Sequence, residues 1–290
     1  MAVNRLDQAS RIAIRDCMGA KPGEKILVIT DEWAREIGLS LYHQAQHLGL
    51  EALLVEMKSR QFNGEEPPTE VAELMKKFDV VLCPTRRSLT HTEARRNASA
   101  QGVRIATLPG ITREVMIRGL NADYFKISQL CLQLKAILEK GHSIRLTSPS
   151  GTELSMDITG RTAYASKGLF HAKGESGNLP TGETFLAPLE GTTQGILVVD
   201  GSMAGVGCVQ NDKIWIEIKD GYAVRIQGGP SARKLKRLLD QHGIEARNVA
   251  EFGIGTNDKA KISGILLEDE KVMGTVHVAL GDNKSMGGKV

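Results

Sequence analysis

Aromatic side chains are scarce: Phe, Trp and Tyr make up 4% of the 290 residues. That leaves few rings on which bases could stack, and argues against a single-stranded nucleic acid partner. Charge of one sign is missing too. Thirty-seven Lys and Arg face 34 Asp and Glu, for a formal net charge of +3, so there is no electrostatic case for duplex binding. No run approaches the ~18 apolar residues of a membrane span, and residues 1–25 lack the apolar core of a signal peptide. The expectation is a cytoplasmic protein without a membrane anchor. The four cysteines, Cys17, Cys83, Cys131 and Cys208, match no CxxC spacing and read as reduced, mostly buried thiols. GxGxxG, GxxxxGK[ST] and HExxH are absent as well, which removes the common dinucleotide, P-loop and zincin signatures.

What is present is a strand–helix alternation followed by a change of texture. Residues 3–19 carry apolar positions at helical spacing. "KILVIT" (25–30) predicts a buried strand, with Asp31 as N-cap of a helix over about 33–48. "EALLVEM" (51–57), "DVVLCP" (79–84) and "VRIATLP" (103–109) predict further strands, separated by helical segments such as 68–78. This alternation predicts an open parallel-sheet α/β domain over about 1–140. Residues 127–140 place Ile127, Leu130, Cys131, Leu134, Ile137 and Leu138 on one helical face. Beyond Gly141 come short strands with Asp-Gly turns at 200–201 and 220–221, and one helix near 231–243. Residues 141–290 therefore read as a β-rich α+β domain, the expected metal-binding half.

Three side chains there stand out by context. Glu183 lies in "GNLPTGETFLAPLEGT" (177–192), where glycine and proline predict a shaped loop. Glu251 lies in "NVAEFGIGTN", followed by Gly253 and Gly255, and His277 lies on the predicted strand "GTVHVALGDN". Glycines let backbone or ligand approach closely. Two carboxylates and an imidazole suit a divalent metal. Read blandly, a loop glutamate is solvated and a histidine between Val276 and Val278 is half-buried; sequence spacing alone proves no proximity. His91, His171, Glu175, Lys167 and Lys173 are weaker candidates. "EDEK" (268–271) is most simply a solvated charge run.

"GNLPTGE", "AEFGIGTN", "EDEKVMGTVHVALGDN" and "SMGG" occur in this order, and with "LPGITREVMIRGLNADY" (108–124) they resemble the thermophilic leucyl aminopeptidase family, the aminopeptidase T and aminopeptidase S metallopeptidases. The resemblance implies metal ligation by Glu183, Glu251 and His277, with Zn, Co or Mn as the expected ion and Fe as an alternative. It implies a metal-dependent aminopeptidase acting on small peptides, and a homodimer. Where that family has a tyrosine seven residues after the histidine, this sequence has Lys284. The family's His-x-Asp pair would fall beyond Val290, so either the chain is truncated or two ligands are lost. Two alternatives stay open. One is a non-haem iron ring-cleaving dioxygenase, since a dihydroxypyridine dioxygenase is similar to the same family. The other is a non-enzymatic member with a degraded site.

Overall fold

The computed structural model describes residues 4–290. Two compact units are formed. One comprises the chain up to Ser128 together with Ser166–Gly182 and Asn257–Ala260; the other comprises Gln129–Ala165, Glu183–Thr256 and Lys261–Val290. The α/β class expected from the alternation is observed.

The first unit begins with helix α1 (Arg5–Arg11), which continues as a π-helical turn over Ile12–Cys17. There Met18 N–H donates to the Ala13 carbonyl at 2.9 Å, five residues back. Then follow β1 (Lys25–Asp31), α2 (Arg35–His47), β2 (Glu51–Met57), α3 (Thr69–Met75), β3 (Val80–Thr85), α4 (Glu93–Ala100), β4 (Arg104–Pro109), α5 (Arg113–Leu120) and α6 (Tyr124–Lys140). β1, β3 and β4 are buried along nearly their whole length, as central parallel strands covered on both faces must be. The strand order is β2–β1–β3–β4, with parallel pairing throughout. A fifth parallel strand, Ser176–Asn178, adds to the β4 edge, with Ile105 opposite Ser176 and Thr107 opposite Asn178.

Asp31 is the last residue of β1, and Ala34 is the N-cap of α2. The Asp31 carboxylate instead knits the strand ends: it accepts from Ala34 N–H at 3.2 Å, Ser59 Oγ at 2.8 Å and Arg86 N–H at 2.8 Å. The buried side of α6 also differs from expectation. Ile127, Cys131 and Leu138 are buried, whereas Ile137 is exposed. The covered stripe is thus narrower than the sequence pattern, since an apolar side chain off the stripe is tolerated at a surface.

With the Ser176–Asn178 strand of the first unit numbered β8, the second unit is built on β5 (Ser143–Thr147), β6 (Glu153–Asp157), β7 (Tyr164–Ser166), β9 (Glu183–Leu186), β10 (Gln194–Val199), β11 (Ser202–Met203), β12 (Gly207–Cys208), β13 (Ile214–Lys219), β14 (Tyr222–Gly228), α7 (Pro230–Asp240), β15 (Val249–Gly255), α8 (Leu266–Asp269) and β16 (Val276–Leu280). One sheet runs β14–β13–β10–β6–β5 and another β16–β15–β9–β7. The β13–β14 hairpin turns on Asp220 and Gly221, both at positive φ (50° and 78°), the conformation for which Asp-Gly is selected in two-residue turns. Leu154, Met156, Ile214, Ile216 and Phe252 form the core of this unit.

Candidate functional site

The 177–192 stretch is not the loop expected from its composition. It supplies β8, a Leu179–Pro180–Thr181–Gly182 connection containing a cis Leu179–Pro180 bond, and then β9, of which Glu183 is the first residue. Tertiary pairing on both sides overrides the local turn signals. Glu183 is therefore fixed by strand register: it lies opposite Gly255 on β15. On the other side of β15, His277 lies opposite Gly253.

That register makes the site. Side chains alternate along a strand, so Glu251, Gly253 and Gly255 share one face of β15, while Phe252 and Ile254 pack into the core. Two of the three positions on the site face carry no side chain. A Cβ on Gly253 would sit 2.1 Å from His277 Nε2, and a Cβ on Gly255 would sit 2.1 Å from the Val272 carbonyl oxygen. The glycines clear the floor on which the imidazole from β16 and the carboxylate from β9 come together with Glu251.

His277 Nε2–H donates to Glu251 Oε1 at 3.0 Å, and Glu183 Oε2 lies 3.7 Å from the same nitrogen. All three sequence-predicted residues thus converge. Glu183 is 7% exposed, and its Oε2 is buried with no hydrogen-bond partner; His277 Nδ1 is likewise buried and unpartnered. An acceptor on the outer ring nitrogen, usual for a metal-bound histidine, is not present among the described residues.

The sequence reading missed one member. "EDEK" is not a solvated run: Glu268, Asp269 and Lys271 are buried. α8 and the turn after it fold these charges inward, where partners await them. Asp269 accepts from Ser263 N–H and Gly264 N–H at 2.7 and 2.9 Å, and Glu268 accepts from Lys261 N–H at 3.2 Å. Lys271 Nζ donates to Glu183 Oε1 and to Glu270 Oε2, each at 2.7 Å. The only sequence signal for this was the position of the run, immediately before the histidine strand.

Burial pushes the Glu183 carboxyl above its ordinary value, with the Lys271 ammonium pulling against it. For Lys271 burial acts to lower the pKa, but the charges of Glu183 and Glu270 outweigh it and hold the ammonium above its usual range. Burial also opposes charge on His277, yet the Glu251 hydrogen bond and the Glu183 charge raise it.

Among the described residues, no three His, Cys, Asp or Glu side chains already stand as a metal-binding group. Glu251 and His277 are bonded to each other, and Glu183 is paired with Lys271. The donor set nevertheless suits one divalent ion, because the orphaned Glu183 Oε2 faces the same nitrogen that Glu251 holds. The weaker candidates lie elsewhere: His171 Nε2 is bonded to the Asp16 carbonyl at 2.8 Å, Lys167 is paired with Glu175 at 3.3 Å, and His91 and Lys173 are exposed. No helix among the described residues is long and apolar enough to cross a membrane.

Over residues 8–289 the chain matches the profile of a family described as NicX, 2,5-dihydroxypyridine 5,6-dioxygenase. A search of curated proteins finds no match. Among solved structures, 2,5-dihydroxypyridine dioxygenase from Pseudomonas putida KT2440 is similar with a TM-score of 0.80 at 19% identity, covering 99% of this chain and 89% of that one. Wild-type AmpT from Thermus thermophilus is similar with a TM-score of 0.57 at 17% identity, covering 86% and 77%. At these identities the two structures show the fold. The aminopeptidase resemblance therefore holds as a likeness of fold, while the expected activity does not. A hydrolase, protease or aminopeptidase acting on small peptides is overturned by the family match, and the dioxygenase alternative takes its place. The family also supports a divalent metal in general. The motifs shared by the two groups could not separate them, because strand-edge glycines and a carboxylate–imidazole cluster serve either chemistry. This chain belongs to the 2,5-dihydroxypyridine 5,6-dioxygenase family.

Proposed function

We propose that this protein is a non-haem iron dioxygenase that opens a hydroxylated nitrogen-heteroaromatic ring of the dihydroxypyridine class. The observation that carries the reading is the family match over residues 8–289. The geometry supports it by gathering an imidazole and two carboxylates in a buried cluster of the second unit.

His277, Glu251 and Glu183 are the residues of this chain that would hold the ion. The set departs from the two-histidine, one-carboxylate triad of many non-haem iron oxygenases by having one imidazole and two carboxylates. Iron, when bound, supplies the one-electron chemistry that lets dioxygen react with a closed-shell ring. The protein's own part is positional. Gly253 leaves room for the imidazole, and Gly255 leaves room for the Lys271–Val272 backbone, which carries the lysine to Glu183. A metal-binding imidazole must be neutral at the donor nitrogen, and His277 Nε2 is the nitrogen that both Glu251 Oε1, at 3.0 Å, and Glu183 Oε2, at 3.7 Å, approach. Lys271 fixes one oxygen of Glu183 and leaves the other facing the ring. Burial of the cluster limits bulk water around these charges, which strengthens each interaction.

The test is direct. Protein loaded anaerobically with Fe(II) is mixed with 2,5-dihydroxypyridine in aerated buffer. Oxygen uptake and loss of the ring's ultraviolet absorbance are followed together, with a leucine anilide as peptidase control. One oxygen molecule consumed per ring lost, with no anilide hydrolysis, is expected. Fe(II)-loaded protein that consumes no oxygen with any dihydroxypyridine isomer would refute the reading.

A further inference from the structure

The cluster contains a cation that lies outside the proposed ligand set. The Lys271 side chain is 4% exposed, and its Nζ is shared between Glu183 Oε1 and Glu270 Oε2. An ammonium this deep is retained only where carboxylates compensate its lost hydration. Its placement has two consequences for any ion that the cluster takes up. First, Glu183 has only one free oxygen: Oε1 is engaged by Lys271, while Oε2 is buried, unpartnered and 3.7 Å from His277 Nε2. Second, the ammonium stands within 2.7 Å of a carboxylate oxygen of both Glu183 and Glu270, so the space between these two carboxylates is already filled by a cation.

We propose that Lys271 is a positioning residue that restricts this cluster to a single divalent ion and makes Glu183 a one-oxygen ligand to it. The inference rests on the metal reading given under Proposed function, and it adds a role for a residue outside the ligand set. The ammonium acts as a built-in counter-cation: it occupies the position between Glu183 and Glu270 where another ion would otherwise find two carboxylates.

The experiment titrates metal-free full-length protein with Co(II). Bound metal per chain is read by elemental analysis after desalting, and the coordination by the visible Co(II) spectrum. Wild-type protein is expected to saturate at one Co(II) per chain. Lys271→Met is expected either to take up a second ion or, at one ion, to show a changed visible spectrum as both Glu183 oxygens become available. Because that variant leaves two carboxylates without their partner, the double variant Lys271→Met/Glu270→Gln is measured beside it. It removes one charge of each sign and frees Glu183, so one ion with the changed spectrum is expected. Wild-type saturation at two ions per chain would overturn the Lys271 proposal alone. So would a folded variant with wild-type stoichiometry and spectrum. Wild-type protein that binds no Co(II) would instead overturn the metal reading beneath it.

Discussion

Lys271 Nζ lies 2.7 Å from Glu183 Oε1, and the two side chains are 4% and 10% exposed. Eighty-eight residues separate them in the chain. Glu183 reaches this position through its pairing with Gly255, and Lys271 through the turn that follows α8. The pair connects the two parts of the site, since the remaining oxygen of Glu183 faces His277. A contact made of two buried charges has a measurable signature.

Lys271→Met should destabilise the metal-free protein by about 3–5 kcal/mol, the usual cost of removing one partner of a buried ion pair. Urea denaturation followed by circular dichroism reads the change. Adding Co(II) should restore part of the loss, because an ion that binds only the folded state stabilises it by mass action. A variant as stable as wild type would show that Lys271 contributes nothing net in this position.

Gly253→Ala places a methyl group where the His277 ring now lies, 2.1 Å from Nε2. The ring is the movable partner, so it should swing away from Glu251 while the sheet persists. Divalent-metal affinity should fall by about 10–100-fold, the range seen when a ligand loses its orientation. Unfolding free energy should fall by about 1–3 kcal/mol, the usual cost of overpacking a buried position. Chelator competition measures the first and urea titration the second; unaltered metal affinity would place the ion elsewhere.

Glu190 anchors the last residues of the chain. Its carboxylate accepts from Asn283 Nδ2 at 2.9 Å and Lys289 N–H at 2.8 Å, and it is paired with Arg161. Burial works against the charge, but these donors outweigh it and hold the carboxyl at about 2. A carboxyl depressed in the folded state adds stability above its unfolded value, near 4.5, and that contribution disappears as pH falls toward 2. Glu190→Gln should therefore cost on the order of 1–2 kcal/mol at pH 7, after allowance for solvent screening. The difference from wild type should shrink between pH 4.5 and 2. Parallel stability curves across that window would contradict this account.

Thiol reactivity provides a check on the core. Cys17, Cys83 and Cys131 are buried and Cys208 is exposed, and burial pushes the Cys83 thiol up to about 12. A disulfide reagent at pH 8 should label one thiol rapidly in the native protein and four in denaturant, because reactivity follows exposure and thiolate fraction. Two or more fast native thiols would mean that a core cysteine is more accessible than the packing shows.

The sequence by itself determined the secondary elements whose local signals agree: the parallel strands of the first unit, the Asp-Gly hairpin at 220–221, and the amphipathic helix ending at Lys140. It also determined that Glu183, Glu251 and His277 all fall in the β-rich half, two of them beside glycines. Periodicity and turn chemistry are properties of neighbouring residues, so they can be read without a fold. Only the tertiary structure decided that Glu183 starts a strand, because the pairing of β9 with β15 is formed by residues some seventy positions apart. Only it decided that Gly253 and Gly255 are the floor of the cluster, since what a missing side chain makes room for depends on the opposing strands. Lys271 shows the same limit. A lysine in a charged run is indistinguishable in sequence from a solvated one, and its burial follows from where two distant carboxylates stand. The choice between hydrolase and dioxygenase was beyond the motifs for a related reason: one strand framework presents the same carboxylates and imidazole to either chemistry, and the family match over nearly the whole chain favours the second.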